Sequence, residues 1–166
     1  MYPLTHMAIA VGAARIGNRL APTGLQPLDL RFAAAGALVP DLADKPLAWF
    51  VMPSLPDDHL LGHTIWLPLL LMLGGAFINH RRGGVRMFLL GLGAFTHLIV
   101  DPVNAHPRTL FWPLFGATFP DVRGYLFVLP ICIEAVLTTS LLVAMQRSGA
   151  LRQRASAFVR SGVPFL

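Results

Sequence analysis

The sequence predicts an all-α fold, a small polytopic membrane bundle of about five helices. Hydrophobic residues make up 55% of the 166 residues and charged residues only 13%, which leaves too few polar side chains to cover a soluble globular domain. The arginines flank apolar segments and form no basic run interleaved with aromatic residues. The net charge of +5 therefore indicates anchoring at a membrane rather than binding to nucleic acid, and it predicts membrane lipids as partners.

Hydrophobic runs divide the chain into five predicted helices, over residues 5–16, 30–38, 60–78, 85–100 and 125–145. Thr5 is a suitable N-cap for the first helix. The second is expected to end before Pro40, because proline disfavours helical geometry in the residue that precedes it. The third has 19 residues and would rise about 28 Å, close to the thickness of the hydrocarbon core of a bilayer. The fourth helix is short for a membrane span and crosses the bilayer only if its polar end lies at the membrane surface. The fifth is long enough to cross the bilayer.

The predicted helices form one membrane-embedded domain over residues 1–146, followed by a basic, cytoplasmic tail over residues 147–166. Arginines lie between the first two helices, between the third and fourth, and after the fifth. Because Lys and Arg accumulate on the cytoplasmic side of short loops, an alternating topology places these groups inside. We expect a multi-pass protein of the plasma membrane whose loops after the second and fourth helices face outward.

Histidines and aspartates gather at the outer end of this topology. His97 and Asp101 are four residues apart on one helix face, where they can share a metal ion or join two helices as a structural pair. Asp41 and Asp44 either bind a cation or cap a following helix, and His63 is either a ligand or a polar helix start. The roles of three further residues stay open, namely His59, His106 and Glu134.

Several short motifs follow one another along the chain: Thr5-His6, Pro40-Asp41-Leu42-Ala43-Asp44, Gly62-His63-Thr64, His97-x-x-x-Asp101 and Phe111-Trp112-Pro113. This order resembles the YdjM-like family of small, LexA-regulated inner-membrane proteins, which are described as predicted metal-dependent hydrolases. The resemblance covers about residues 1–120. It implies a metal set formed by His6, Asp41, His63, His97 and Asp101, and the predicted topology places this set on the outer face of the inner membrane.

The expected function is that of a membrane-bound, metal-dependent hydrolase. Mixed imidazole and carboxylate ligands suit a divalent ion, above all zinc, whose water would attack a lipid headgroup ester or another phosphoester. Asp44 is the expected general base, and Arg108 or Arg123 would meet the phosphate. Trp112 is either an interfacial anchor or a wall of the site. The alternative is a non-enzymatic membrane protein, either an ion or proton carrier or a structural metal-binding protein.

Overall fold

The computed structural model describes residues 3–20, 28–52, 58–78, 84–101, 106–119 and 148–162, together with scattered positions between 132 and 147. The regular elements of these ranges are helical, which confirms the all-α prediction for this part of the chain. The α-helices are α1 (Pro3–Leu20), α2 (Arg31–Gly36), α3 (Val39–Pro46), α4 (Trp66–Phe77), α5 (Gly84–Val100), α6 (Pro107–Leu110) and α7 (Gly149–Ser161). A π-helical turn, Leu47–Val51, extends α3, and a 3-10 turn, Leu61–His63, precedes α4.

The predicted second helix, over residues 30–38, corresponds to α2, and a further helix that was not predicted, α3, follows it directly. α2 ends at Gly36, and α3 begins at Val39 and continues through Pro40. Proline fits there because it lies in the first turn, where an N–H has no partner within the helix. The residue that precedes α3 is Leu38, and its side chain makes no capping hydrogen bond. Asp41 and Asp44 lie inside α3, so neither is the N-cap of that helix.

The predicted third helix begins later than expected. Thr64 has an extended backbone, and its hydroxyl donates a hydrogen bond to the carbonyl of Leu61. The amide of Ile65 then donates a hydrogen bond to the carbonyl of Leu110. The chain around residue 64 is therefore bound to a distant loop, and the predicted helix over residues 60–78 is interrupted there. α4 consequently has 12 residues instead of the 19 predicted.

Within the described ranges, no helix is long and apolar enough to cross a membrane.

The carboxyl-terminal part of the chain differs from its prediction in one respect. The predicted helix over residues 125–145 lies largely outside the described residues, and the positions described between 132 and 147 are helical. The predicted basic tail contains α7, whose Phe158 packs against the core. Glu134 and Arg123 lie outside the described residues, and the domain boundary after residue 146 stays a prediction.

Small residues bring α5 close to its neighbours on two sides. A Cβ added at Gly36 of α2 would collide with the backbone of Leu90, and one at Gly93 would collide with the backbone of Ala33. On the other side, a Cβ at Gly75 of α4 would collide with the backbone of Phe88. Close approach through glycine is typical of helix packing in membranes, and here it places α5 at the centre of the bundle.

The described bundle has a histidine end and a basic end. The ring of His6 near the start of α1 contacts that of His97 in the last turn of α5, with 4.3 Å between ring centres and an interplanar angle of 56°. At the opposite end, the guanidinium of Arg86 near the start of α5 lies 5.4 Å from the ring centre of Phe32, and Arg19 is in the last turn of α1. The histidines His6 and His97 therefore lie at the end opposite these two arginines.

Candidate metal centre

Six side chains meet at the histidine end in three overlapping groups that could hold a metal ion. Within each group, one ligand atom from each residue lies within 4.8 Å of the others. The groups are His6 with His97 and Asp101, Asp41 with His63 and His97, and His59 with His63 and Asp101. The structure thus brings together all five ligands implied by the family resemblance and adds His59. We call these six residues the metal centre.

The last turn of α5 supplies two of these ligands. His97 and Asp101 lie one helical turn apart, and Nε2 of His97 is 3.6 Å from Oδ2 of Asp101. His6 reaches the same pair from α1, because α1 and α5 place their histidines in ring contact. The spacing of four residues therefore places the side chains of His97 and Asp101 on the same face of the helix, as the sequence predicted.

Close packing of α2 against α5 fixes the orientation of the His97 ring. The carbonyl oxygen of Ala37 lies 2.7 Å from Nδ1 of His97. Because a carbonyl oxygen can only accept, Nδ1 donates its proton to it, and Nε2 points away from Ala37. Gly36 and Gly93 allow the two backbones to come this close, so the glycine packing directs Nε2 of His97 into the centre.

Asp44 orients His63 and the turn that carries it. Its carboxylate is 1% exposed and accepts backbone N–H groups from Leu60, Gly62 and His63 at 2.7, 2.7 and 3.0 Å. Oδ2 also lies 2.8 Å from Nδ1 of His63, which leaves Nε2 of that ring to face the centre. A Cβ at Gly62 would lie 2.9 Å from Oδ1 of Asp44, so glycine is required there. Both oxygens of Asp44 are thus occupied by the chain itself, and its role as general base stays a prediction.

His59 enters the centre from the residues that precede the 3-10 turn. Its Nδ1 lies 3.0 Å from Oδ1 of Asp58, and its Nε2 lies 3.8 Å from Oδ2 of Asp101. The hydrogen bond with His59 lowers the pKa of Asp58 to about 2, so this carboxylate is ionised at neutral pH. His59 therefore repeats the arrangement of His63 and His97, with Nδ1 held by an acceptor and Nε2 directed inward.

The inner atoms of the centre have separations close to those between ligands of one metal ion. Nε2 of His63 is 3.3 Å from Nε2 of His97, 3.6 Å from Oδ2 of Asp101 and 3.7 Å from Oδ1 of Asp41. Tetrahedral ligands at zinc distances are about 3.3–3.6 Å apart, whereas hydrogen bonds are about 2.7–3.2 Å long. His63 and His97 each hold Nδ1 against an oxygen acceptor and face each other through Nε2, an orientation in which a cation between the rings could bind both. The donor set therefore fits a metal ion.

Lys45 is a buried cation beside the centre that the sequence interpretation missed. Its Nζ lies 2.5 Å from Oδ1 of Asp41, one helical turn earlier, and the exposed fractions of the two residues are 8% and 2%. The spacing of four residues was the available signal, since opposite charges at that interval pair on a helix. Asp41 is thus shared between Lys45 and the metal centre.

The environment of Asp101 favours its charged form. Burial raises the pKa of this carboxyl, but its polar interactions with His63 and His97 outweigh burial and hold the pKa well below its usual range. Asp101 is therefore a carboxylate at neutral pH, the form that binds cations.

The loop that contains α6 packs beside the start of α4. The indole N–H of Trp66 donates to the carbonyl of Trp112, and Arg108 lies exposed within α6. His106 precedes α6 and belongs to none of the three groups. Among the described residues, its buried Nδ1 has no hydrogen-bond partner, so the structure gives this histidine no place in the metal centre.

Comparison with known proteins identifies one family. A family model described as YdjM inner membrane protein matches residues 1–165, essentially the whole chain. No curated protein and no solved structure matches the chain. The match extends well beyond the motifs around the metal centre, since it includes α7.

Proposed function

This chain belongs to the YdjM inner membrane protein family, and we propose that it is a membrane-bound, metal-dependent hydrolase acting on lipid headgroup esters or other phosphoesters. One observation carries the proposal. Three histidines hold Nδ1 against an acceptor and direct Nε2 toward the carboxylate of Asp101, at 3.6 to 3.8 Å. Such second partners are typical of metal-ligating histidines.

The proposed inner ligands are His63, His97 and Asp101, because each belongs to two of the three groups. His6, Asp41 and His59 each complete one group, so they supply a fourth ligand or the ligands of a second ion. Imidazole and carboxylate together suit zinc among the divalent ions. A zinc ion supplies Lewis acidity and a water nucleophile at neutral pH.

The surrounding residues support distinct steps of hydrolysis in this proposal. Asp44 holds His63 in place, because its oxygens are occupied by backbone amides and by Nδ1 of that histidine. Asp41 is better placed to accept a proton, since its Oδ1 faces the centre and lies beside Lys45. We assign the phosphate contact to Arg108, which is exposed in the loop at this end.

Two features support multi-pass insertion with the metal centre on the outer face. Large apolar side chains are exposed along α4, among them Leu70, Leu73 and Phe77 at 67, 66 and 89%, and lipid would cover such a surface. The basic residues Arg19 and Arg86 lie at the end opposite the histidines, as expected if that end faces the cytoplasm.

Elemental analysis of the purified protein tests the metal, and assays on phospholipids and on bis(4-nitrophenyl) phosphate test the activity. We expect a bound divalent ion in the wild type and its loss in His97→Ala and Asp101→Ala, with a fall in affinity exceeding the 10- to 100-fold typical of lost supporting contacts. His106→Ala is the matched control and should retain the metal. A folded wild-type protein that binds no divalent ion would contradict the proposal.

The depth of the centre favours one alternative, a structural metal site. His63 and His97 are 0 and 1% exposed, and structural zinc sites are closed whereas catalytic sites keep an open position. Replacement of the bound metal by Co²⁺ distinguishes the two, because an open position changes its visible spectrum when inorganic phosphate is added. An unchanged spectrum together with absent hydrolysis would favour the structural role.

A further inference from the structure

An apolar cavity of about 500 Å³ lies beside the metal centre. One side is formed by Leu47 and Met52, at the two ends of the π-helical turn, and another by Leu60 and Leu61. The third side is the loop that carries Trp112 and Phe119. This volume is typical of small-molecule pockets, which range from about 300 to 1,000 Å³. None of the described lining residues is charged.

The aromatic wall of this cavity is held in place by its own contacts. The rings of Trp112 and Phe119 stack with 5.5 Å between their centres and an interplanar angle of 15°. The indole N–H of Trp112 donates to the carbonyl of Ala117 at 3.0 Å, and its carbonyl accepts from Trp66. A cavity with such a wall is formed before any ligand binds.

The cavity and the metal centre share the segments that separate them. Leu60 lines the cavity while the preceding residue, His59, belongs to the metal centre, and adjacent Cα atoms are only about 3.8 Å apart. The backbone amide of Leu60 is bound by Asp44, and Leu47 follows the helix that carries Asp44. An apolar chamber thus adjoins a cluster of charged and polar ligands.

We propose that this cavity binds the acyl chain of a lipid substrate whose headgroup ester lies at the metal centre. The inference rests on the proposed function and specifies its substrate class. A ligand with one apolar part and one anionic part matches this pair of neighbouring environments, whereas a sugar or nucleotide would leave polar groups unpaired in the apolar chamber. In an inner membrane protein, lipid is the abundant molecule of that chemistry.

Photolabelling tests the cavity without requiring turnover. The protein is placed in nanodiscs with a diazirine-bearing palmitic acid, and labelled peptides are mapped by mass spectrometry. Ala117→Trp fills the cavity, and Leu114→Trp is the matched control because Leu114 is 68% exposed in the same loop and does not line the cavity. We expect Ala117→Trp to reduce labelling of residues 60–61 and 112–119 at least about tenfold, a discrimination that apolar pockets achieve, and the control to leave it unchanged.

Equal labelling in both variants would overturn the acyl-chain assignment, whatever the outcome of the hydrolysis assays. Metal content checks the fold of each variant, and Thr118→Trp replaces Ala117→Trp if that variant loses its metal. In the hydrolysis assay, we expect Ala117→Trp to lower kcat/KM for a dihexanoyl phospholipid and to leave kcat/KM for bis(4-nitrophenyl) phosphate unchanged. An equal loss of kcat/KM on both substrates would show that the cavity does not bind the acyl chain of the substrate.

Discussion

Charged groups cluster at both ends of the bundle, but the two clusters are built differently. At the basic end, Arg31 donates to both oxygens of Asp29 at 2.8 and 2.6 Å and to the carbonyls of Val159 and Arg160 at 2.9 Å. We call this the surface cluster, because the side chains of Arg31 and Asp29 are 42 and 20% exposed. In the buried metal centre, His63 and His97 make hydrogen bonds of that length through Nδ1, on the outer side of their rings, and the inner atoms lie 3.3 to 3.8 Å apart.

The surface cluster is a complete ion pair, whereas the metal centre is a set of side chains that could bind a cation. Arg31 brings donors to acceptors, so the surface cluster needs no further component and fastens α7 to α2. In the metal centre, imidazole and carboxylate groups face one another where His63 and His97 are almost fully buried, and a cation bound among them would balance the buried carboxylates. The outer hydrogen bonds of the histidines hold this arrangement in place.

The largest expected effect is that of Asp44→Asn. The NH2 group of the amide replaces one carboxylate oxygen and faces either the N–H of Gly62 or the N–H groups of Leu60 and His63. In both orientations buried hydrogen bonds are lost and the turn that carries His63 is held less firmly. We expect the free energy of unfolding to fall by about 3–5 kcal/mol, measured by denaturant or thermal unfolding in detergent, with loss of bound metal. A stable variant that keeps its metal would show that Asp44 does not organise the centre.

Lys45→Met is expected to act mainly on the metal-free protein. Loss of the ammonium leaves the buried carboxylate of Asp41 without its ion-pair partner, at a cost of about 3 kcal/mol. A bound divalent ion supplies that charge instead, so the difference in Tm from the wild type should shrink when Zn²⁺ is added. An equal difference with and without Zn²⁺ would mean that Asp41 does not belong to the ligand set.

Gly36→Ala tests whether helix packing sets metal affinity. A Cβ there collides with the backbone of Leu90, moves α2 away from α5 and withdraws the carbonyl of Ala37 from His97. We expect metal affinity to fall about 10- to 100-fold, measured by competition with a chelator. Gly75→Ala is the matched control, because its Cβ collides equally with α5 but at a distance from His97. Equal losses in the two variants would indicate general destabilisation.

The smallest expected effect is that of Asp29→Asn in the surface cluster. The hydrogen bond from Arg31 lowers the pKa of Asp29, so the pair contributes stability above the ordinary carboxyl pKa of about 3.9 and loses it as the pH falls further. Exposed pairs contribute little, and we expect Tm to fall by less than about 4 °C with metal content unchanged. Loss of metal in this variant would remove the distinction between the two clusters.

The sequence predicted those residues of the metal centre that have helical spacing or that belong to a family motif. The pairing of His97 with Asp101 follows directly from the helix period. The predicted topology placed His6, Asp41 and His63 at the same end of the bundle, and the family resemblance completed them as one ligand set. His59 stayed open because it is placed by a loop, and no periodicity describes a loop.

The parts of the centre that could not be predicted come from tertiary contacts. The carbonyl of Ala37 belongs to the backbone, so its side-chain identity gives no sign that it binds His97. It contacts His97 only because α2 lies close to α5. The predicted third helix, which is α4 in the structure, starts only at Trp66, because the amide of Ile65 donates a hydrogen bond to the distant carbonyl of Leu110. The all-α class was predictable because it depends on the apolar runs alone.

Asp44 also connects the metal centre to the order in which the chain is synthesised. Its hydrogen bonds reach residues 16 to 19 positions downstream, so His63 can be oriented as soon as that short stretch has returned to α3. His97 lies 34 residues further along, a delay of about 2–7 s at ordinary rates of synthesis. During that interval Asp44 can already orient His63, and a metal site that uses both histidines would be completed only after His97 is made.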